Sequence, residues 1–160
     1  MEALKNYVET TESDVNWLAK DATSGRGQTP LMIASTCGHF ELVQYLAASG
    51  AEVDKTDKIG STAAFCAAEK GKLVVLRFLL EQGAVKNKQD NTGCSILYAA
   101  AEGGHLPVVQ FLLEEGADKD KANNNVHTPI FPAAGEVSAR ARGGQAQDHQ
   151  LWRYFTLPSS

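Results

Sequence analysis

The feature that most restricts the fold is a spacing of 33 residues. Gly60-Ser61-Thr62 is followed by Gly71, then by Leu73-Val74-Val75-Leu76-Arg77-Phe78-Leu79-Leu80, then by Gly83-Ala84. A step forward of 33 gives Gly93-Cys94-Ser95, Gly104, Val108-Val109-Gln110-Phe111-Leu112-Leu113 and Gly116-Ala117. A step back of 33 gives Gly27-Gln28-Thr29, Gly38, Leu42-Val43-Gln44-Tyr45-Leu46 and Gly50-Ala51. A fourth register opens at Val126-His127-Thr128-Pro129-Ile130-Phe131, with Ala133 and Ala134 in phase. A chain with this period builds one small unit several times, and each unit buries its apolar surface against the next.

Thr29, Thr62, Ser95 and Thr128 stand where a hydroxyl caps a helix N-terminus. Pro30 and Pro129 follow at the first helical position, where the missing N–H costs nothing. A short first helix then runs through Ala34-Ser35, Ala67-Ala68 and Ala100-Ala101. Side chains this small let neighbouring helices approach closely. They account for much of a composition with 22 alanines and 14 glycines among 160 residues. Gly38, Gly71 and Gly104 end the first helix. A second helix carries its apolar residues on one face: Val75, Leu76, Phe78 and Leu79, then Val108, Val109, Phe111 and Leu112. Pro107 lies near the start of its helix and opens it. Gly50, Gly83 and Gly116 stop the second helix, and a polar connector such as Val85–Thr92 reads as a tight turn or hairpin.

These residues resemble the ankyrin repeat. The motif is Thr29-Pro30-Leu31 with Ala34, then Gly38-His39, Leu42-Val43 and Gly50-Ala51. The resemblance spans about residues 24 to 134. It implies an all-α solenoid of stacked antiparallel helix pairs with projecting β-hairpin or turn connectors. The sequence departs from the family's pattern after the Thr-Pro-Leu. The family's usual histidine is replaced by Met32, Phe65, Tyr98 and Phe131, so the turn is expected to lose a polar tie and to use apolar packing instead. Ala63 and Ile96 replace the proline.

The division that follows is a half-repeat capping helix and long connector over 1–23, three full repeats over 24–56, 57–89 and 90–122, and the start of a degenerate fourth over 123–134. Leu4, Tyr7, Val8, Asp14 and Val15 align with Leu42, Tyr45, Leu46, Glu52 and Val53 at an offset of 38, which places the cap near residues 2–11. Trp17 in the longer connector either packs over the first repeat, as is usual for a tryptophan, or stands as an exposed contact. Three readings of 135–160 compete. It is an irregular or disordered tail; it folds back with Leu151, Trp152 and Phe155 on repeat three, through a short helix near 150–156; or Val137-Ser138 marks a splice-donor-like site read through as protein.

No phosphate-binding loop, zincin, nucleophile-elbow or zinc-finger spacing occurs, and no cofactor or metal is implied. Gly25-Arg26-Gly27 lacks the third glycine of a dinucleotide loop and reads as connector. His39 and His105 recur at one position, with Lys72 between them, and read as structural turn residues. Cys37, Cys66 and Cys94 have no CxxC spacing, so neither a disulfide scaffold nor a zinc site is expected. Cys66 is assigned to the core; Cys37 and Cys94 lie nearer the concave side. Lys55, Lys58, Lys86, Lys88, Lys119 and Lys121 recur at the connectors, but between Ser24 and Ala122 there are ten basic and twelve acidic residues. That mixture argues against nucleic acid as the partner. The longest apolar runs have six residues, too short for membrane insertion, and no secretory pattern opens the chain, so a cytoplasmic or nuclear monomer is expected.

The resemblance implies a non-catalytic module that binds a partner protein through hairpin tips and the concave inner-helix surface. Carried over position by position, the candidate contacts are Arg26, Gln28, Thr36 and Cys37; Lys58, Ile59, Ser61, Glu69 and Lys70; Asn91, Thr92, Cys94 and Glu102; and Asn124, Asn125 and His127. Ile59 is apolar at an expected tip, which is either a contact point or an isolated exposed apolar residue. The alternative function is that of a regulatory or targeting fragment of a larger multidomain protein or enzyme whose other domains are absent. A free-standing enzyme would need a cleft with paired titratable groups, and none is legible.

Overall fold

The protein was analysed as a computed structural model that describes Asn16, residues 25–125 and His127. The capping helix expected near 2–11, Trp17, the fourth-register residues Thr128–Ala134 and the tail 135–160 lie outside the described residues.

Among the described residues six helices follow in pairs: α1 (Pro30–Cys37) with α2 (Phe40–Ala48), α3 (Ala63–Glu69) with α4 (Leu73–Glu81), and α5 (Ile96–Glu102) with α6 (Leu106–Glu114). Each first helix starts because a hydroxyl takes an otherwise unpaired N–H. Thr29 Oγ1 accepts from Met32 N at 3.2 Å, Thr62 Oγ1 from Phe65 N at 3.2 Å, and Ser95 Oγ from Tyr98 N at 3.1 Å. Each ends at a glycine in the left-handed region, with φ of 77° at Gly38, 67° at Gly71 and 70° at Gly104. The chain then turns back into the second helix.

The first helices form the inner layer, α1 against α3 and α3 against α5. Ala63 to Ala68 and Ile96 to Ala101 are all buried, so α3 and α5 are covered on nearly every side. Alanine permits this, because a helix walled by other helices has room for few bulky side chains. The second helices are amphipathic instead. In α4, Val75, Leu76 and Leu79 are buried while Val74 and Arg77 face outward. Aromatic rings stitch this outer layer. Phe40 of α2 meets Phe78 of α4 edge-on at 5.6 Å, and the Arg77 guanidinium lies 4.9 Å from the centre of the Phe111 ring of α6.

The expected loss of a polar tie after the first cap needs correction in one repeat. The Thr29 N–H donates to Met32 Sδ at 3.4 Å, so a thioether takes the place of a nitrogen. His105 has the structural role expected of it. Its Nε2 lies 2.9 Å from the carbonyl oxygen of Glu69 in the preceding repeat, and its ring lies over Gly71. Among the described residues the connectors contain no strand. One antiparallel bridge, Gln89 with Ser95, is present there.

Candidate functional site

The turns that project from the stack are built by one recurrent device. Asp57 Oδ1 accepts from the N–H groups of Ile59 (3.0 Å) and Ser61 (2.9 Å). Asp90 Oδ1 accepts from Thr92 N, Cys94 N and the Thr92 hydroxyl. Asn123 Oδ1 accepts from Asn125 N and His127 N, both at 3.0 Å. Each is an Asx turn, in which a short side chain closes the loop on its own backbone. A second set of bonds joins one turn to the next. The N–H of Lys58 donates to the Arg26 carbonyl, that of Asn91 to Ile59, and that of Asn124 to Thr92, at 2.9–3.0 Å.

Side chains at the tips repeat the link. Lys58 Nζ donates to the Gly25 carbonyl at 2.7 Å, Asn91 Nδ2 to that of Lys58 at 3.0 Å, and Asn124 Nδ2 to that of Asn91 at 3.2 Å. The turns therefore stand as one continuous edge. Gly60 and Gly93 are required by this closeness. A Cβ on Gly60 would lie 2.8 Å from the Asn91 nitrogen, and one on Gly93 the same distance from that of Asn124. The connector lysines serve the same scaffold: Lys88 Nζ donates to the Asp54 carbonyl, Lys121 Nζ to that of Asn87 and Lys86 Nζ to that of Glu115.

Between this edge and the inner helices lies a groove of about 390 Å³. Half of the sixteen sequence-derived candidates line it. Arg26, Ile59, Thr92, Asn125 and His127 come from the turns, Glu69 and Glu102 from the ends of α3 and α5, and Cys94 from between. Ile59 is 40% exposed, which makes it one of the large apolar side chains open to solvent. The remaining candidates fall around the groove or away from it. Gln28 is half-buried, with its amide 3.8 Å from Cys66 Sγ. Thr36 is also half-buried and donates to the Met32 carbonyl. Cys37 is exposed at the end of α1, and Lys70 pairs with Glu69 at 3.1 Å on the surface. Lys58, Asn91 and Asn124 are exposed but tied to the preceding turn as described.

Ser61 is a correction. It is wholly buried, and its hydroxyl accepts from Arg26 Nη2 at 3.1 Å, so it supports the site without facing a partner. Five lining residues were not among the candidates. Asp90 and Asn123 are the turn makers, and Ala99 is a packing position of α5. The other two, Phe65 and Tyr98, are the aromatic replacements of the family's histidine, each 8% exposed and lining the groove. The signal that would have found them is aromatic character at a repeated position beside the tips.

The electrostatics are acidic. Glu69, Asp90 and Glu102 line the groove, while the Arg26 guanidinium donates from Nε to the buried Asp57 carboxylate at 3.1 Å. Burial raises the Tyr98 phenol pKa, with Glu102 adding to the rise. Cys66, deep among alanines, is pushed up from 9.0 to about 11 by burial, so its thiol stays protonated and inert. Among the described residues no three His, Cys, Asp or Glu side chains gather in a way that would hold a metal ion. No described helix is long and apolar enough to cross a membrane.

Comparison with protein families gives two matches. A model described as ankyrin repeats, three copies, matches residues 47–123, and one described as a single ankyrin repeat matches residues 26–58. Together they run from residue 26 to residue 123, more than half of the chain. A search of curated proteins returned no match.

Proposed function

The chain belongs to the ankyrin-repeat family, whose arrays are in general protein-interaction modules, and we propose that this one is a non-catalytic module that seats its partner in the inner groove and along the edge of the turns. The observation that supports this most is convergence. Half of the candidate contacts, carried over from the family's pattern in separate repeats, line one groove. The scaffold beneath them is rigid, because each turn is bonded to its neighbour through both backbone and side chain. A surface that is already ordered loses little freedom on binding.

The division into repeats at 24–56, 57–89 and 90–122 belongs to the same proposal, as does a cytoplasmic or nuclear monomer. The test is affinity capture from the source lysate on the wild-type chain and on Ile59→Asn. This change removes an apolar contact without adding charge or disturbing the core. The reading expects a discrete set of proteins that the variant fails to retain. Equal retention of every captured protein by both chains would contradict it.

A further inference from the structure

We propose that the groove receives a cationic side chain, lysine or arginine, from an extended segment of the partner protein. This rests on the reading of the groove as the partner surface and adds the chemistry of what enters it. Of the lining carboxylates, Asp90 is occupied, since its Oδ1 already accepts three hydrogen bonds from its own turn. Glu69 and Glu102 are the final residues of α3 and α5 and occupy equivalent positions one repeat apart. Glu69 is held by its neighbour Lys70 in a surface pair, which a partner's cation displaces at little cost.

An acidic segment fits less well. The groove's arginine, Arg26, already faces the wholly buried carboxylate of Asp57, so its charge is compensated within the fold. Phe65 and Tyr98 line the groove as an aromatic surface against which the aliphatic stem of a lysine or arginine packs while its head remains among carboxylates. Tyr98 and Glu102 line the same groove, and the carboxylate adds to the rise that burial causes in the phenol's pKa. A volume of about 390 Å³ lies in the ordinary range of ligand pockets, so it admits a stretch of chain with a few side chains.

The probe is a set of fluorescein-labelled nonapeptide pools, random except for a fixed central Arg, Lys, Gln or Glu, titrated against the full chain and read by anisotropy. The Arg and Lys pools are expected to bind roughly tenfold more tightly than the Glu pool, with Gln between. Glu69→Gln combined with Glu102→Gln is expected to erase that order, and circular dichroism checks that the fold is intact. The inference is overturned if the Glu pool binds best, if the four pools bind alike, or if the double variant keeps the preference for cations. Ile59→Asn separates the two levels. Should the pools bind alike and all lose affinity in Ile59→Asn, the groove remains the partner surface and only its cation preference fails. Should Ile59→Asn leave every pool unaffected, both fail.

Discussion

Arg26 Nε lies 3.1 Å from Oδ2 of Asp57, and the Asp57 side chain is entirely shielded from solvent. The pair joins the turn of the first repeat to that of the second across 31 residues. Its two members are not equivalent. Asp57 also closes its own turn through Ile59 and Ser61, whereas Arg26 is partly exposed and adds one bond to Ser61. Asp57→Ala therefore leaves buried N–H groups without acceptors and is expected to cost about 2–3 kcal/mol. Arg26→Ala keeps the turn but leaves the buried Asp57 carboxylate without its countercharge, a cost of similar size that water entering beside the partly exposed arginine site reduces. Asp57→Asn keeps the turn, as Asn123 does in the third turn, and is expected to cost less than Asp57→Ala. Urea midpoints give the ranking. An Asp57→Asn variant as damaged as Asp57→Ala would show that charge, not turn closure, is what matters there.

Two glycines distinguish backbone strain from crowding. Gly83 has φ of 92° and open space where a Cβ would point, so Gly83→Ala carries conformational strain of about 1 kcal/mol. Gly60 has a similar φ of 84°, but a Cβ there would lie 2.8 Å from the backbone nitrogen of Asn91. Gly60→Ala must also push apart two bonded turns and is expected to cost at least about 2 kcal/mol. Equal thermal shifts for the two variants would mean that the turns are not in contact.

A similar close approach couples Gly71 to His105. A Cβ on Gly71 would lie 2.5 Å from His105 Nδ1, while His105 Nε2 holds the Glu69 carbonyl. Gly71→Ala is expected to destabilise strongly in the presence of His105 and less in its absence. A double-mutant cycle with His105→Ala should give a coupling of at least about 0.5 kcal/mol, and strict additivity would deny the contact.

The 33-residue period is written in the sequence itself, and the six described helices and their caps were legible because each depends on residues only a few positions apart. Thr29, Thr62 and Ser95 act within one turn of the chain, and so do the glycines that follow each helix. What escaped depends on contacts between repeats. Ser61 stands just before a cap, as Gln28 and Cys94 do, yet it alone of the three is wholly buried, with the Arg26 guanidinium bonded to its hydroxyl from 35 residues away. Asp57, Asp90 and Asn123 recur in phase, but their composition suits a solvated face as well as a turn. Only the loop geometry shows that each folds back on its own backbone. Met32 is apolar by type, and its use as an acceptor depends on where its sulfur falls.

The buried thiol of Cys66 gives the fold an alkaline limit. Its pKa rises from 9.0 to about 11 on folding, so above pH 9 the unfolded chain ionises first and folding must keep the proton on. The resulting stability is complete below pH 9 and is lost as pH climbs toward about 11. The loss is on the order of 2–3 kcal/mol. Cys66→Ala should flatten the curve from pH 9 and leave the decline due to Tyr98, whose raised pKa makes its contribution fall from pH 10 upward. In the native protein a thiol reagent is expected to modify exposed Cys37 first and Cys66 last. Rapid modification of Cys66 at neutral pH would contradict its burial.

Under the proposal, partners meet this chain in the inner groove and not on its outer helices. Site-specific photo-crosslinking tests it most directly, with a benzophenone amino acid placed either at Ile59 in the groove or at Val74 on α4, which is 63% exposed. The prediction is a discrete crosslinked product in source lysate from position 59 and none from position 74. Crosslinking from position 74 alone, or equally from both, would contradict it.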